Sequence, residues 1–142
     1  IPLVILKCLK NEKIPVYGNG KNIRDWLHVD DHIKGLLLVF SKGKIGETYN
    51  ISGNNELTNL EIVNKICLIF DKLYPNKSPH NSLISFVKDR PGHDFRYSIN
   101  NTKITKDLGF KIYDNFDQEL ENTVKWYIKN ESWITKKLSN TD

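Results

Sequence analysis

The sequence predicts an α+β domain. Three observations carry that reading. Apolar residues recur at helical spacing in several stretches, short β-branched and aromatic runs lie between them, and no regular strand–helix–strand repeat organises the two. There are no internal repeats.

The elements follow in order. Pro2 to Leu9 reads as the body of a helix that began upstream. "IPVYG" (14–18) is short, β-branched and aromatic, and residues 18–22 close it as a turn. A short extended piece is expected around Trp26 to Val29. A helix follows, capped by Asp30 or Asp31, with an apolar face of Ile33, Leu36, Leu37 and Phe40 and Gly43 just past its end. "ETYNIS" (47–52) reads as a strand. Thr58 and Glu61 form a capping box ahead of Leu60, Val63, Cys67 and Phe70, and Pro75 stops that helix. Residues 76–82 are a polar loop, and "LISFV" (83–87) is a strand that leads into a charged turn. "NNTKITKDLGF" offers a short helix closed by Gly109. A last amphipathic helix turns Leu120, Val124 and Tyr127 or Ile128 inward. The domain is expected over 1–135, with a polar tail at 136–142.

At 142 residues the chain is long enough for one domain with a core and too short for two ordinary ones. Its 27% charged and 39% hydrophobic content is that of a globular protein. No apolar run approaches the roughly 20 residues of a membrane helix. The net charge of +4 is spread over scattered lysines, without the basic face and interleaved aromatics of a nucleic-acid footprint. Neither a membrane nor a nucleic acid is therefore an expected partner. Cys8 and Cys67 lack CxxC spacing and sit in apolar surroundings, which reads as buried free thiols in a reducing cytosol. The chain contains no Met and opens within a helical pattern, so a fragment of a longer protein is expected.

Few stretches carry chemistry. "GNGKN" (18–22) resembles a phosphate loop, but Ile23 stands where a third glycine would, and no helix follows directly. A turn explains it better. In "VDDH" the consecutive Asp30, Asp31 and His32 would splay apart at a helix start, so helix capping accounts for them rather than metal binding. "FVKDRPGHDFRY" (86–97) crowds Arg90, His93 and Arg96 around a Pro-Gly turn beside Asp89 and Asp94. Two readings stand level on the residues alone. Arg24 and Arg90 grip phosphate oxygens with their planar forks, or they form surface ion pairs with Asp25 or Asp30 and with Asp89 or Asp94.

Taken together, "PVYGNGKNIRDWLHVDDH", "GETYNISGNNELTNLEIV" and "DRPGHDFRYSINNTKI" resemble the dTDP-glucose 4,6-dehydratase family of extended short-chain dehydrogenase/reductases. The ending "FDQELENTVKWYIKNESW" is similar to that family's closing helix. The first motif is shared with nucleotide-sugar epimerases and decarboxylases, whereas "DRPGHDxRY" after "GExYNIxGxNExxN" is the specific one. Ser52, His28 and Phe95 depart from the residues usual in the family, at positions without an assigned ligand role.

The resemblance implies a C-terminal substrate-binding lobe whose N-terminal Rossmann lobe is absent. It implies NAD bound by that missing lobe, and an NAD-dependent lyase that converts dTDP-glucose to dTDP-4-keto-6-deoxyglucose as part of the full-length protein. In the family NAD takes a hydride from sugar C4, water is eliminated across C5 and C6, and the hydride returns to C6. The 142 residues alone are expected to be inactive. The resemblance assigns Pro15, Val16 and Tyr17 to the nucleotide, Arg24 to the diphosphate, Asn59 to the nucleotide site, and Arg90 and His93 to closure over the diphosphate and sugars. It leaves Asp89, Asp94 and Arg96 structural. It further implies a cytoplasmic enzyme of dTDP-rhamnose and surface-polysaccharide synthesis, homodimeric only at full length. A stand-alone nucleotide-sugar or phosphate-binding module, or part of a related epimerase or decarboxylase, is the alternative.

Overall fold

The computed structural model describes residues 1–77, 79–112 and 115–134; the expected tail at 136–142 lies outside them. Helix α1 (Pro2–Leu9) places its proline in the first turn, where the missing N–H costs nothing, and turns Val4, Ile5 and Cys8 inward. Strand β1 (Ile14–Tyr17) and the turn after it lead into β2 (Ile23–Asp25). Then come α2 (Val29–Lys42), β3 (Glu56–Thr58) and α3 (Asn59–Leu73). Strands β4 (Ile84–Val87) and β5 (Arg96–Tyr97) flank the charged turn. Helices α4 (Thr102–Leu108) and α5 (Phe116–Lys129) complete the described chain.

The core forms where α1, β1, α3 and α5 meet. Ile5, Ile14, Ile66, Phe70 and Val124 are fully buried there, with both free cysteines among them. On α3 the expected periodicity is met by Val63, Cys67 and Phe70, while Leu60 is only half-buried. Thr58 and Glu61 close the expected capping box reciprocally, the Glu61 N–H donating to Thr58 Oγ1 and the Thr58 N–H to Glu61 Oε2. Gly109 ends α4 in the left-handed region at φ 72°, as a glycine can.

The α+β expectation is corrected by the strand pairing. β1 runs parallel to β4, with Ile14 opposite Ile84 and Tyr17 opposite Val87. β2 lies between an antiparallel β3 and a parallel β5. Parallel neighbours require a crossover, and the one from β1 to β4 carries two helices, α2 and α3. The parallel pairing is an α/β feature. Two- and three-residue strands such as β5 and β3 are too short to announce it by periodicity.

Three local expectations also change. The 47–52 stretch joins no sheet; Asn side chains hold its neighbourhood instead. Asn50 Nδ2 donates to the Asn100 carbonyl and Asn101 Nδ2 to that of Ser52. Short 3-10 turns at Pro75–Lys77 and His80–Leu83 occupy the expected polar loop. The cap of α2 is His28, whose Nδ1 accepts from the Asp30 N–H, while Asp30 and Asp31 fall in the first turn and complement the helix dipole.

The apolar face expected on α2 is turned outward, with Leu37 61% and Phe40 91% exposed. The helix meets the body through Asp31 and Gly35. A Cβ on Gly35 would come within 2.9 Å of the Ile51 side chain, so the small residue sets this approach. The periodicity of the apolar residues marked an amphipathic helix correctly and named the wrong face as the packed one.

Arg96 fixes β5 in place. Its Nε and Nη2 donate to Glu56 at 2.7 and 2.6 Å, and Ser98 Oγ donates to the same carboxylate at 2.6 Å. The structural role expected of Arg96 is what the geometry shows.

Replacing Phe70 by Ala should lower unfolding free energy by about 3–5 kcal/mol. Phe40→Ala should change it by less than about 0.5 kcal/mol. Urea denaturation of both variants checks the assignment of faces. The hydrogen bonds from Arg96 and then Ser98 pull the Glu56 carboxyl down from 4.5 to about 2. A carboxyl lowered in the folded state stabilises it above its unfolded value and loses that contribution as pH falls through its folded value. Glu56→Gln should therefore flatten the decline in stability between pH 4.5 and about 2, as read by melting temperature against pH.

Candidate functional site

The charged turn is built from the ends of two sheets. β4 runs alongside β1 and delivers residues 88–95 to the rim where β1 ends. The Gly18 N–H donates to the Val87 carbonyl at 2.9 Å and continues the pairing for one residue. Gly18 sits at φ 57°, and a Cβ there would lie 2.9 Å from Asp89 Oδ2. The backbone angle favours glycine, and a Cβ would have to displace the Asp89 carboxylate. Gly20, at φ 71°, would strike Leu60 and Val16 with a Cβ. "GNGKN" is a packed turn followed by a strand, as the sequence suggested.

Beside it, the Asp94 carbonyl accepts from Asn22 Nδ2 at 3.2 Å and from Arg24 Nη2 at 3.0 Å. The Ile23 N–H donates to the Phe95 carbonyl at 2.8 Å. Arg24 Nη1 also donates to the Ile23 carbonyl, and its guanidinium lies 5.0 Å from the centre of the Tyr97 ring. The ion-pair reading of Arg24 is not what forms, since its partners are carbonyls and an aromatic face. Asp25 instead accepts the N–H groups of Gly53 and Asn55.

At the other end of the turn, the His93 ring is hydrogen-bonded through Nδ1 to Asp89 Oδ1 at 2.6 Å, and the Arg90 N–H donates to the same oxygen at 2.9 Å. The hydrogen bond with His93 comes first among the influences that lower the Asp89 carboxyl below its usual range. The His93 ring meets Tyr17 edge-on, 6.4 Å between centres. Interaction with the Asp94 side chain pushes the pKa of the Tyr97 hydroxyl up. Among the described residues no carboxylate pairs with the guanidinium of Arg90, which is exposed.

The seven candidate residues thus divide. Tyr17 and His93 meet directly, and Arg90 lies on the turn they share. Arg24 is tied to that turn through Asp94. Asn59 opens α3 and donates its backbone N–H to the Asn22 carbonyl, one residue from Ile23 and two from Arg24. Val16 is a core residue at 3% exposure, and Pro15 beside it is half-buried. Two residues that position the site had not been singled out: Tyr97, which faces Arg24, and buried Asn22, which clamps Asp94. Tyr97 ends the quoted "DRPGHDFRY", so its signal was present; Asn22 carried none beyond a turn.

The site is an open rim and not a cavity. A cleft of about 720 Å³ lies elsewhere, between the start of α2 and α5, lined by Trp26, His28, Glu119, Trp126 and others, and includes none of the seven. Among the described residues no cluster of His, Cys, Asp and Glu could hold a metal, and no helix is long and apolar enough to cross a membrane.

The model of the GDP-mannose 4,6 dehydratase family matches residues 1–123. A probable dTDP-glucose 4,6-dehydratase of Sinorhizobium fredii is 53% identical over 133 residues, 94% of this chain and 38% of that protein. The dTDP-glucose 4,6-dehydratase of Shigella flexneri is 45% identical over 99% of this chain and 39% of its own length. Among solved structures, the Streptomyces venezuelae dTDP-glucose 4,6-dehydratase with NAD bound superposes with TM-score 0.85 and 38% identity, over 94% of this chain and 39% of its own. The Bacillus anthracis enzyme in complex with NAD gives 0.82 and 43%, over 93% and 40%. The chain spans about two-fifths of the length of these relatives.

Two expectations are withdrawn against these matches. The NAD-bound dehydratases match this chain over 94% and 93% of its residues. The chain is therefore not set apart as a C-terminal lobe defined by an absent Rossmann half, and NAD is not assigned to a missing lobe. The described residues do not themselves supply a dinucleotide fingerprint, because the glycine turn at 18–20 opens a strand and its glycines are filled against Asp89, Leu60 and Val16. With residues 1–123 matched by one family model, the chain belongs to the GDP-mannose 4,6-dehydratase family.

Proposed function

We propose that this chain contributes the nucleotide-diphosphate contacts of a dTDP-glucose 4,6-dehydratase, the enzyme that removes water from dTDP-glucose to give dTDP-4-keto-6-deoxyglucose. One observation supports this above the rest. Asp89 is already bonded by His93 and Asp25 by backbone N–H groups, while neither Arg24 nor Arg90 forms an ion pair with a carboxylate among the described residues. Two planar cations left unneutralised beside an exposed aromatic suit a diphosphate that carries a nucleoside.

On this reading Arg24, braced by the Asp94 carbonyl and Tyr97, meets one phosphate, and Arg90 closes on the other from the turn. Tyr17 and the backbone of Pro15 and Val16 lie along the nucleoside, Asn59 hydrogen-bonds at the same end, and His93 reaches a hydroxyl of the sugars. The relatives' names support dTDP-glucose as the substrate. Synthesis of dTDP-rhamnose in the cytoplasm by a full-length homodimer belongs to the same proposal.

Arg24→Ala and Arg90→Ala should each weaken thymidine diphosphate binding by roughly one to two orders of magnitude. Calorimetry on the full-length protein measures it. Unchanged affinity in both variants would remove the diphosphate from this rim.

A further inference from the structure

We infer that Asp89 is a positioning residue for His93: its carboxylate fixes the imidazole as the Nδ1–H form and leaves Nε2 as a hydrogen-bond acceptor for a sugar hydroxyl of the ligand on the rim. The inference rests on the proposed function for the nature of that ligand, and on geometry for the rest.

Asp89 lies within four residues of His93 and bonds it at 2.6 Å. The His93 side chain is only 6% exposed, so its ring has little freedom to turn away. The carboxylate is itself held on two other sides. Oδ1 accepts the Arg90 N–H at 2.9 Å, and Oδ2 packs over the space left by the absent Cβ of Gly18. One side chain thus locks the start of the turn, the ring of His93 and the contact with the β1 turn. A carboxylate is an acceptor only, so the bonded ring nitrogen must be the one that carries hydrogen. Fixing one nitrogen of a histidine selects the role of the other. Among the described residues Asp89 and, edge-on, Tyr17 face His93, and the Arg90 N–H reaches the same Asp89 oxygen.

The form of the ring is directly observable. Nitrogen-15 spectra of the intact protein should be recorded at about pH 8.5, above the ordinary imidazole range. They should show His93 protonated on Nδ1. Asp89→Ala should remove that preference, and Asp89→Asn, which keeps an acceptor oxygen, should retain it. Thymidine diphosphate should bind Asp89→Ala roughly tenfold more weakly than Asp89→Asn. An Nε2–H ring in the unaltered protein, or an Nδ1–H ring that persists in a folded Asp89→Ala variant, would overturn the inference. If the ring behaves as expected and thymidine diphosphate fails to bind the unaltered protein, the ligand reading falls while the positioning stands. The two failures are therefore distinct.

Discussion

The arrangement depends on one backbone carbonyl. Asp94 C=O accepts from both Asn22 and Arg24, and the adjacent Phe95 carbonyl accepts from the Ile23 N–H. These bonds join a turn that leaves the β1–β4 sheet to a strand in the other sheet. Without them, residues 88–95 would be held only at their ends, by the pairing of β4 with β1 and of β5 with β2. Asn22 is buried, so its amide would be costly to leave unbonded, and that cost favours the closed arrangement.

Charge follows from the same closure. Once the turn is docked, Asp89 finds His93 within it, and Arg96 finds Glu56 on β3. The charges crowded in this short stretch do not simply cancel one another. Arg96 is paired by Glu56 from β3 and Asp89 is bonded by His93, whereas Arg90 forms no ion pair among the described residues and Arg24 is held by neutral carbonyls. Uncompensated arginines on an open rim, away from the aromatic-lined cleft between α2 and α5, are the feature that the proposed function uses.

Much of this was legible before any coordinates. The Thr58–Glu61 box, Gly109, β1 and the inward faces of α3 and α5 were read directly, because caps, left-handed glycines and long apolar periodicities are local signals. The strand pairing was not, since β3 and β5 hold three and two residues and their partners are distant in sequence. The face of α2 was misjudged because Gly35 packs closely and the larger apolar residues do not, a choice made by tertiary contact. At the site, the spacing of "DRPGHDFRY" announced the cations. It could not announce that Tyr97 would lie against Arg24 or that Asn22 would clamp Asp94.

The most direct measurement is amide chemical-shift mapping while thymidine diphosphate is titrated into the protein. The account predicts that the perturbed signals group at Tyr17, Arg24, Asn59 and residues 89–97. Perturbation confined to Trp26, His28 and the Trp126 side of the cleft, with the rim unchanged, would contradict it.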